Sequence, residues 1–304
     1  MAIGKGFGKI ILFGEHFVVY GLPGIASGID KYVKVCIEKT KEKDIFFIDK
    51  NFQEIIQKNN NPSHILCQLW DVMFKNLELN SIKITISGNC LPKSGMGYSA
   101  ALNVALARAL NNYLKLNWSH NKINKIAYEG EKLIHGNPSG IDNTCATFNS
   151  LILFKKNKII KLQPGKKLFF VIGDTGIRRD TKKIINLVHT NKIKNKKEFK
   201  NIFFEEEKLL TKAKLAIKRG NIKEIGLLMN KNQNLLKKIE VSCKKLEKLI
   251  KIALENGALG AKLTGAGRGG LMIALCSDKK NQQKIIKEFK KFGFEGLNAE
   301  IKNK

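Results

Sequence analysis

Short apolar, β-type runs alternate with turns along the opening of the chain. Lys9 to Phe13, Phe17 to Tyr20, Tyr32 to Ile37 and Ile45 to Ile48 each predict a β-strand. After an Asn-rich loop at 58–62, apolar residues Ile65, Leu66, Leu69, Trp70, Met73 and Phe74 recur at helical spacing, and Ile82 to Ile86 alternates again. The Ala- and Leu-rich stretch from Ser99 to Leu114 contains no helix breaker, so it predicts a buried helix that starts directly after a glycine-containing loop. A second helix is expected over Lys122 to His135, with Tyr128, Glu131, Lys132 and His135 on a polar face, stopped by Gly136 and Pro138.

Leu151 to Phe154 and Ile159 to Leu162 read as a hairpin-like pair, followed by a strand over Leu168 to Ile172. From Lys182 to Ile252 the pattern changes to long amphipathic helices, among them Phe204 to Lys218 and Leu246 to Leu254. A strand at Leu271 to Leu275, a helix near Gln283 to Phe292 and a strand at Leu297 to Ile301 close the chain. With 304 residues and roughly 100 to 200 residues per domain, two domains are expected, 1–165 and 166–304.

Composition supports a folded globular chain: 43% of residues are hydrophobic and 27% charged, a balance that disordered segments do not reach. No apolar run approaches the roughly 20 residues a spanning helix needs, and the short run Ile10 to Phe13 is not a signal-peptide core. A cytoplasmic location without membrane attachment is expected. The six cysteines are far apart and form no CxxC or Cys/His cluster, so neither a disulfide framework nor a zinc site is indicated.

The formal charge of +29 raises the question of nucleic acid. Only five of the 55 basic residues are Arg, and the run 182–200 offers Lys, Asn and Ile without the aromatic interleaving that base stacking uses. A solvated basic face that attracts anionic substrates is expected, and no nucleic-acid partner. Salt-dependent RNA binding would be the mark of the rival, non-catalytic reading.

Four stretches carry candidate chemistry. In Pro92–Lys93–Ser94–Gly95–Met96–Gly97–Tyr98–Ser99–Ala100–Ala101, glycines let backbone N–H groups approach an anion where a helix begins; the alternative is a tight strand-to-helix turn. The order fits neither a Walker loop nor a dinucleotide fingerprint. HGNPSGIDN, 135–143, describes a rigid loop that can hold Asp142 as a buried carboxylate ready to accept a hydroxyl proton; Asp142 as a turn or cap residue is the alternative. KLTGAGRGG, 262–270, implies close backbone approach, to a ligand or to another part of the protein. In GKIILFGEHFVVYG, 8–21, Lys9 opens the first strand and Glu15 and His16 occupy the turn after it.

These motifs, in this order and across the whole chain, resemble the superfamily of galactose, homoserine, mevalonate and phosphomevalonate kinases. HGNPSGIDN and the preceding GEK are most similar to its mevalonate kinases. The resemblance implies an α+β fold of two domains, the N-terminal one like ribosomal protein S5 domain 2 and the C-terminal one ferredoxin-like. It implies transfer of the ATP γ-phosphoryl group to the primary hydroxyl of mevalonate, and often a homodimer. Asp142 matches the catalytic base and Lys9 the lysine beside it. Ser99 and Glu131 match the Mg²⁺ ligands, and two protein oxygens suffice when phosphates supply others. Residues 92–101 match the ATP phosphate loop, Glu15, His16 and Asp142 the mevalonate contacts, and Gly265, Ala266 and Gly267 a glycine-rich loop near the phosphates. The chain departs from the family pattern at Phe7, Met96, Tyr98, Arg268 and Asn149–Ser150. Tyr98 touches on nucleotide contacts, and Arg268 could add a charge near phosphates.

Overall fold

The computed structural model describes residues 1 to 303 except Asn76, Glu78, Leu91, Lys93, Ser94, Asn137, Lys156, Asn157 and Arg179. The chain groups into two compact units, Met1–Lys9 with Gly28–Asn149, and Ile10–Ser27 with Ser150–Lys304. This grouping is discontinuous along the chain. Residues 10–27 and 150–165 join the C-terminal part because Gly24 to Ser27 pair antiparallel with Leu151 to Phe154 and Thr264 hydrogen-bonds Ile11. Strands β1 (Ala2–Phe13) and β2 (Gly24–Lys39) each run through both units.

In the first unit β2 pairs antiparallel with β5 (Ile82–Gly88), which pairs parallel with β3 (Ile45–Asp49), which pairs antiparallel with β4 (Glu54–Gln57). Burial alternates residue by residue along β3 and β5, the signature of a sheet covered on one face. The helices are α1 (Ile65–Phe74), α2 (Tyr98–Leu114), α3 (His120–His135) and α4 (Ile141–Phe148). α2 packs on α3 and α4, and α3 on α1 and α4. Residues 100 to 107 of α2 are buried on every side, which explains its small side chains: they let its neighbours approach closely.

In the second unit β6 (Leu151–Lys155) and β7 (Lys158–Leu162) pair antiparallel, and a separate antiparallel sheet orders β11–β8–β10–β9. Its strands are β8 (Leu168–Asp174), β9 (Gly260–Leu263), β10 (Leu271–Cys276) and β11 (Glu295–Ile301). Helices α5 (Thr181–Lys194), α6 (Lys196–Arg219), α7 (Ile222–Lys238), α8 (Lys244–Glu255) and α9 (Lys279–Lys291) follow the amphipathic pattern. α8 and α9 lie against this sheet, and α7 packs on β9 and α6. The class is α+β, as expected. No helix among the described residues is long and apolar enough to cross a membrane.

Four local expectations are corrected. Phe17–Tyr20 is a short 3₁₀ helix and not a strand: positive-φ residues Gly14, His16 and Gly21 reverse the chain around it, overriding the β-preference of its valines. Lys9 lies inside β1, which already begins at Ala2. Lys262 and Leu263 belong to β9, a short strand that pairing with β10 creates and local sequence does not announce. Asp142, expected in a rigid loop, sits in the first turn of α4, with Gly140 as N-cap at φ 79°.

Candidate active site

In the first unit, the ammonium of Lys9 stands 3.3 Å from Asp142 Oδ1. Lys9 is 8% exposed, whereas the Asp142 side chain is 36% exposed and so not the fully buried carboxylate expected from its apolar neighbour. Both are placed by backbone. The Lys9 amide donates to the Met96 carbonyl at 2.8 Å, tying β1 to the glycine loop. Gly97 N-caps α2 with φ 73°, and a Cβ built there would stand 3.2 Å from Lys9 Cγ and 3.5 Å from Asp142 Oδ2. The loop, the lysine and the carboxylate are therefore neighbours, and glycine is needed for both its left-handed backbone and its missing side chain. Pro92, Gly95, Met96, Tyr98, Ala100 and Ala101 continue this segment into the start of α2, while Lys93 and Ser94 lie outside the described residues.

A second carboxylate stands close by. Glu131 on α3 is 2% exposed and accepts from Asn103 Nδ2 at 3.1 Å. Burial, then the negative charge of Asp142, push its carboxyl up to about 7. Sequence reading put Glu131 on the polar face of its helix; it lies instead on the buried face with Ile123, Ala127 and Gly130. Gly130 makes this possible: a Cβ there would collide with the Asn103 amide that holds the carboxylate. Ser99 Oγ is 3.2 Å from His135 Nε2, which in turn lies 3.7 Å from Glu131 Oε2. The i+4 spacing that puts Glu131 and His135 on one helix face brings the two side chains together here.

This donor set suits Mg²⁺. A buried carboxylate that burial makes costly to ionise, a serine hydroxyl and the unpartnered Oδ1 of Asn103 are hard oxygen donors of the kind a small divalent cation prefers. No cluster of three or more His, Cys, Asp or Glu side chains fit for a metal occurs among the described residues, so any ion here would take other ligands from phosphate and water.

Tyr98, where the family pattern has Ser, accepts a hydrogen bond from Asn51 Nδ2 at 3.0 Å and meets Phe52 edge-on at 6.2 Å. Burial raises its hydroxyl well above the usual tyrosine value. It thus pins the β3–β4 turn to the start of α2.

In the second unit Glu15 and His16 form a tight turn after β1. Glu15 is 1% exposed and paired with Lys262, which is fully buried. His16 Nε2 lies 2.8 Å from the Ala266 carbonyl, linking the turn to the loop holding Gly265, Ala266 and Gly267. A Cβ at Gly267 would strike the Val241 carbonyl, so packing within the unit accounts for that glycine. Arg268 Nε donates to the Glu240 carbonyl at 3.0 Å and its amide to the Val241 carbonyl at 2.6 Å, which ties its side chain to the end of α7.

Residues 64–150 match the model of the GHMP kinases N terminal domain and residues 213–295 that of the GHMP kinases C terminal region. Fold and site define a GHMP kinase. The mevalonate kinase of Pyrococcus furiosus is 34% identical over 90% of this chain and 89% of that protein, and that of Methanocaldococcus jannaschii is 32% identical over 97% and 98%. Among solved structures, L. major mevalonate kinase in complex with R-mevalonate superposes with a TM-score of 0.90 at 31% identity, covering 100% of this chain and 96% of that one. The chain belongs to the mevalonate kinase family of the GHMP kinases.

Proposed function

We propose that this protein transfers the γ-phosphoryl group of ATP to the primary hydroxyl of mevalonate, giving phosphomevalonate and ADP. The observation that carries this reading is the Lys9–Asp142 pair at 3.3 Å, set against Gly97 at the start of α2. The hydroxyl oxygen attacks the γ-phosphorus, the bond from that phosphorus to the β–γ bridging oxygen breaks, and the hydroxyl proton passes to the Asp142 carboxylate. Lys9 orients Asp142, and its charge offsets negative charge that develops on the transferring group. The amides at the start of α2 and the positive end of its dipole receive phosphate oxygens. Ser99 and Glu131 would hold Mg²⁺, whose chemistry is to neutralise and align the β- and γ-phosphates. Glu15 and His16 serve the acceptor, and residues 265–267 the phosphates.

The relatives named above support mevalonate as acceptor, and the HGNPSGIDN loop supports it over a sugar or phosphomevalonate. The same reading includes a cytoplasmic homodimer in which residues 1–165 supply nucleotide-binding and catalytic groups and 166–304 form the C-terminal kinase domain. The deciding experiment is coupled ADP detection with ATP, Mg²⁺ and a panel of mevalonate, phosphomevalonate, galactose and homoserine. Turnover with mevalonate at least as efficient as with any other acceptor is expected. Turnover confined to another acceptor would overturn the assignment.

A further inference from the structure

The second unit encloses three ionisable side chains that the phosphoryl-transfer chemistry leaves unused. Lys262 on β9 and Glu206 on α6 are fully buried and Glu15 is 1% exposed. The Lys262 ammonium contacts Glu15 Oε1 and donates to the Leu263 carbonyl at 2.7 Å. Glu206 Oε2 accepts from Asn232 Nδ2 of α7 at 2.7 Å. Glu206 Oε1 and Asn232 Oδ1 have no hydrogen-bond partner. Burying charge this deeply is unfavourable unless every group is paired, so stability alone gives little reason to keep such a cluster.

What the cluster grips is a strained piece of backbone. The Phe17 amide donates to the Glu15 carbonyl at 2.8 Å, closing a three-residue turn whose centre, His16, has φ 63° and ψ −41°. A γ-turn of this positive-φ kind is rare for a residue with a side chain and persists only when its surroundings hold it. Three rungs join segment 11–16 to segment 262–266. Ile11 and Thr264 exchange hydrogen bonds of 3.0 and 3.1 Å, Glu15 pairs with Lys262, and His16 Nε2 meets the Ala266 carbonyl at 2.8 Å.

We propose that Lys262 and Glu206 are positioning residues for the acceptor: Lys262 through its pair with Glu15, and Glu206 as the carboxyl beside that pair, hold the His16 turn in the strained conformation that presents His16 to the substrate. This rests on the reading of His16 as an acceptor contact. The groups that face Glu206 are Asn232 from α7, Lys262 from β9 and Glu15 from the turn. Burial pushes its carboxyl up to about 8, so at neutral pH it is a neutral donor and acceptor. Above that pH a second negative charge appears beside Glu15 and competes for Lys262, and the grip loosens.

The test uses the full chain as wild type, E206Q, E206A and K262M, with ADP release measured against mevalonate at saturating ATP and against ATP at saturating mevalonate. E206A and K262M are expected to raise the KM for mevalonate by roughly tenfold or more and to leave the KM for ATP within about twofold. E206Q, which mimics the protonated carboxyl, should match wild type at pH 7. Wild type should lose mevalonate affinity as the pH passes about 8, and E206Q should not. Should K262M fail to fold, the wild-type and E206Q pH profiles decide, and identical profiles overturn the proposal. So do equal shifts in both KM values, or an unchanged mevalonate KM in folded E206A. Wild type without mevalonate-dependent ADP release overturns the functional reading and this proposal with it, whereas an active wild type with unaltered variants overturns the positioning role alone.

Discussion

Glu131 and Asn103 meet in the interior of the first unit, carboxylate oxygen to amide nitrogen at 3.1 Å, at a point that exists only because residue 130 has no side chain. Burial, and after it the charge of Asp142, make this carboxylate costly to ionise, a cost that the charge of a divalent cation would offset. Replacing Glu131 with Gln is expected to raise the Mg²⁺ concentration needed for half-maximal rate by about tenfold or more. Titration of ADP release against Mg²⁺ checks this, and an unchanged requirement would remove Glu131 from the ligand set.

Asp142→Asn keeps the shape of the side chain and removes its ability to take a proton. A fall in kcat of about 10² to 10⁴ is expected, with the KM for ATP little altered. A rate within about twofold of wild type would end the assignment of Asp142 as base.

Gly97→Ala places a methyl group against Lys9 and Asp142 in a left-handed backbone conformation, φ 73°. The backbone penalty is about 1 to 2 kcal/mol, readable in denaturant unfolding. Because the methyl group lies 3.2 Å from Lys9 Cγ, activity should fall by more than the lost stability explains.

Tyr98→Phe deletes the acceptor of the Asn51 hydrogen bond and keeps the ring contact with Phe52. A loss of roughly 0.5 to 1.5 kcal/mol is expected, with an altered KM for ATP if the β3–β4 turn borders the nucleotide. Thermal melts and ATP titrations separate the two effects.

Stability should fall as pH rises. Glu206 is raised from 4.5 to about 8 and Glu131 from 4.5 to about 7 in the folded protein, so between those limits the folded state keeps a proton that the unfolded chain has lost. The contribution is fully present below the unfolded value, declines by up to about 1.4 kcal/mol per pH unit for each group, and is gone above the folded value. Glu206→Gln should flatten this decline between pH 5 and 8. Equal slopes for wild type and variant in urea unfolding would contradict the burial of an ionisable Glu206.

Much of the fold was legible in local sequence. The unbroken Ala/Leu run of α2, the amphipathic spacing of α6 and α8 and the alternation in β5 follow from periodicities that each element expresses by itself. The ordered motifs, through their resemblance to a family, also pointed to Lys9 and Asp142. Some burial signals were present and unread. Glu206 shares a helical stripe with Phe199, Ile202, Leu209 and Ala213, and Asn232 shares one with Ile225, Leu228, Met229 and Leu236. A polar residue inside an apolar stripe marks a buried network.

Tertiary structure alone decided the rest, because it depends on contacts between residues far apart in the chain. Periodicity could not say that Phe17–Tyr20 would coil, that β9 would form against β10, or which of the consecutive glutamates 205–207 would meet the Asn232 amide. Nor could it show that Glu131 faces inward, since that depends on the Asn103 amide entering the space a glycine leaves. Sequence periodicity determines which face of an element is apolar, because that is a property of the segment itself. Which charge survives within that face depends on a partner that only folding brings within hydrogen-bond reach.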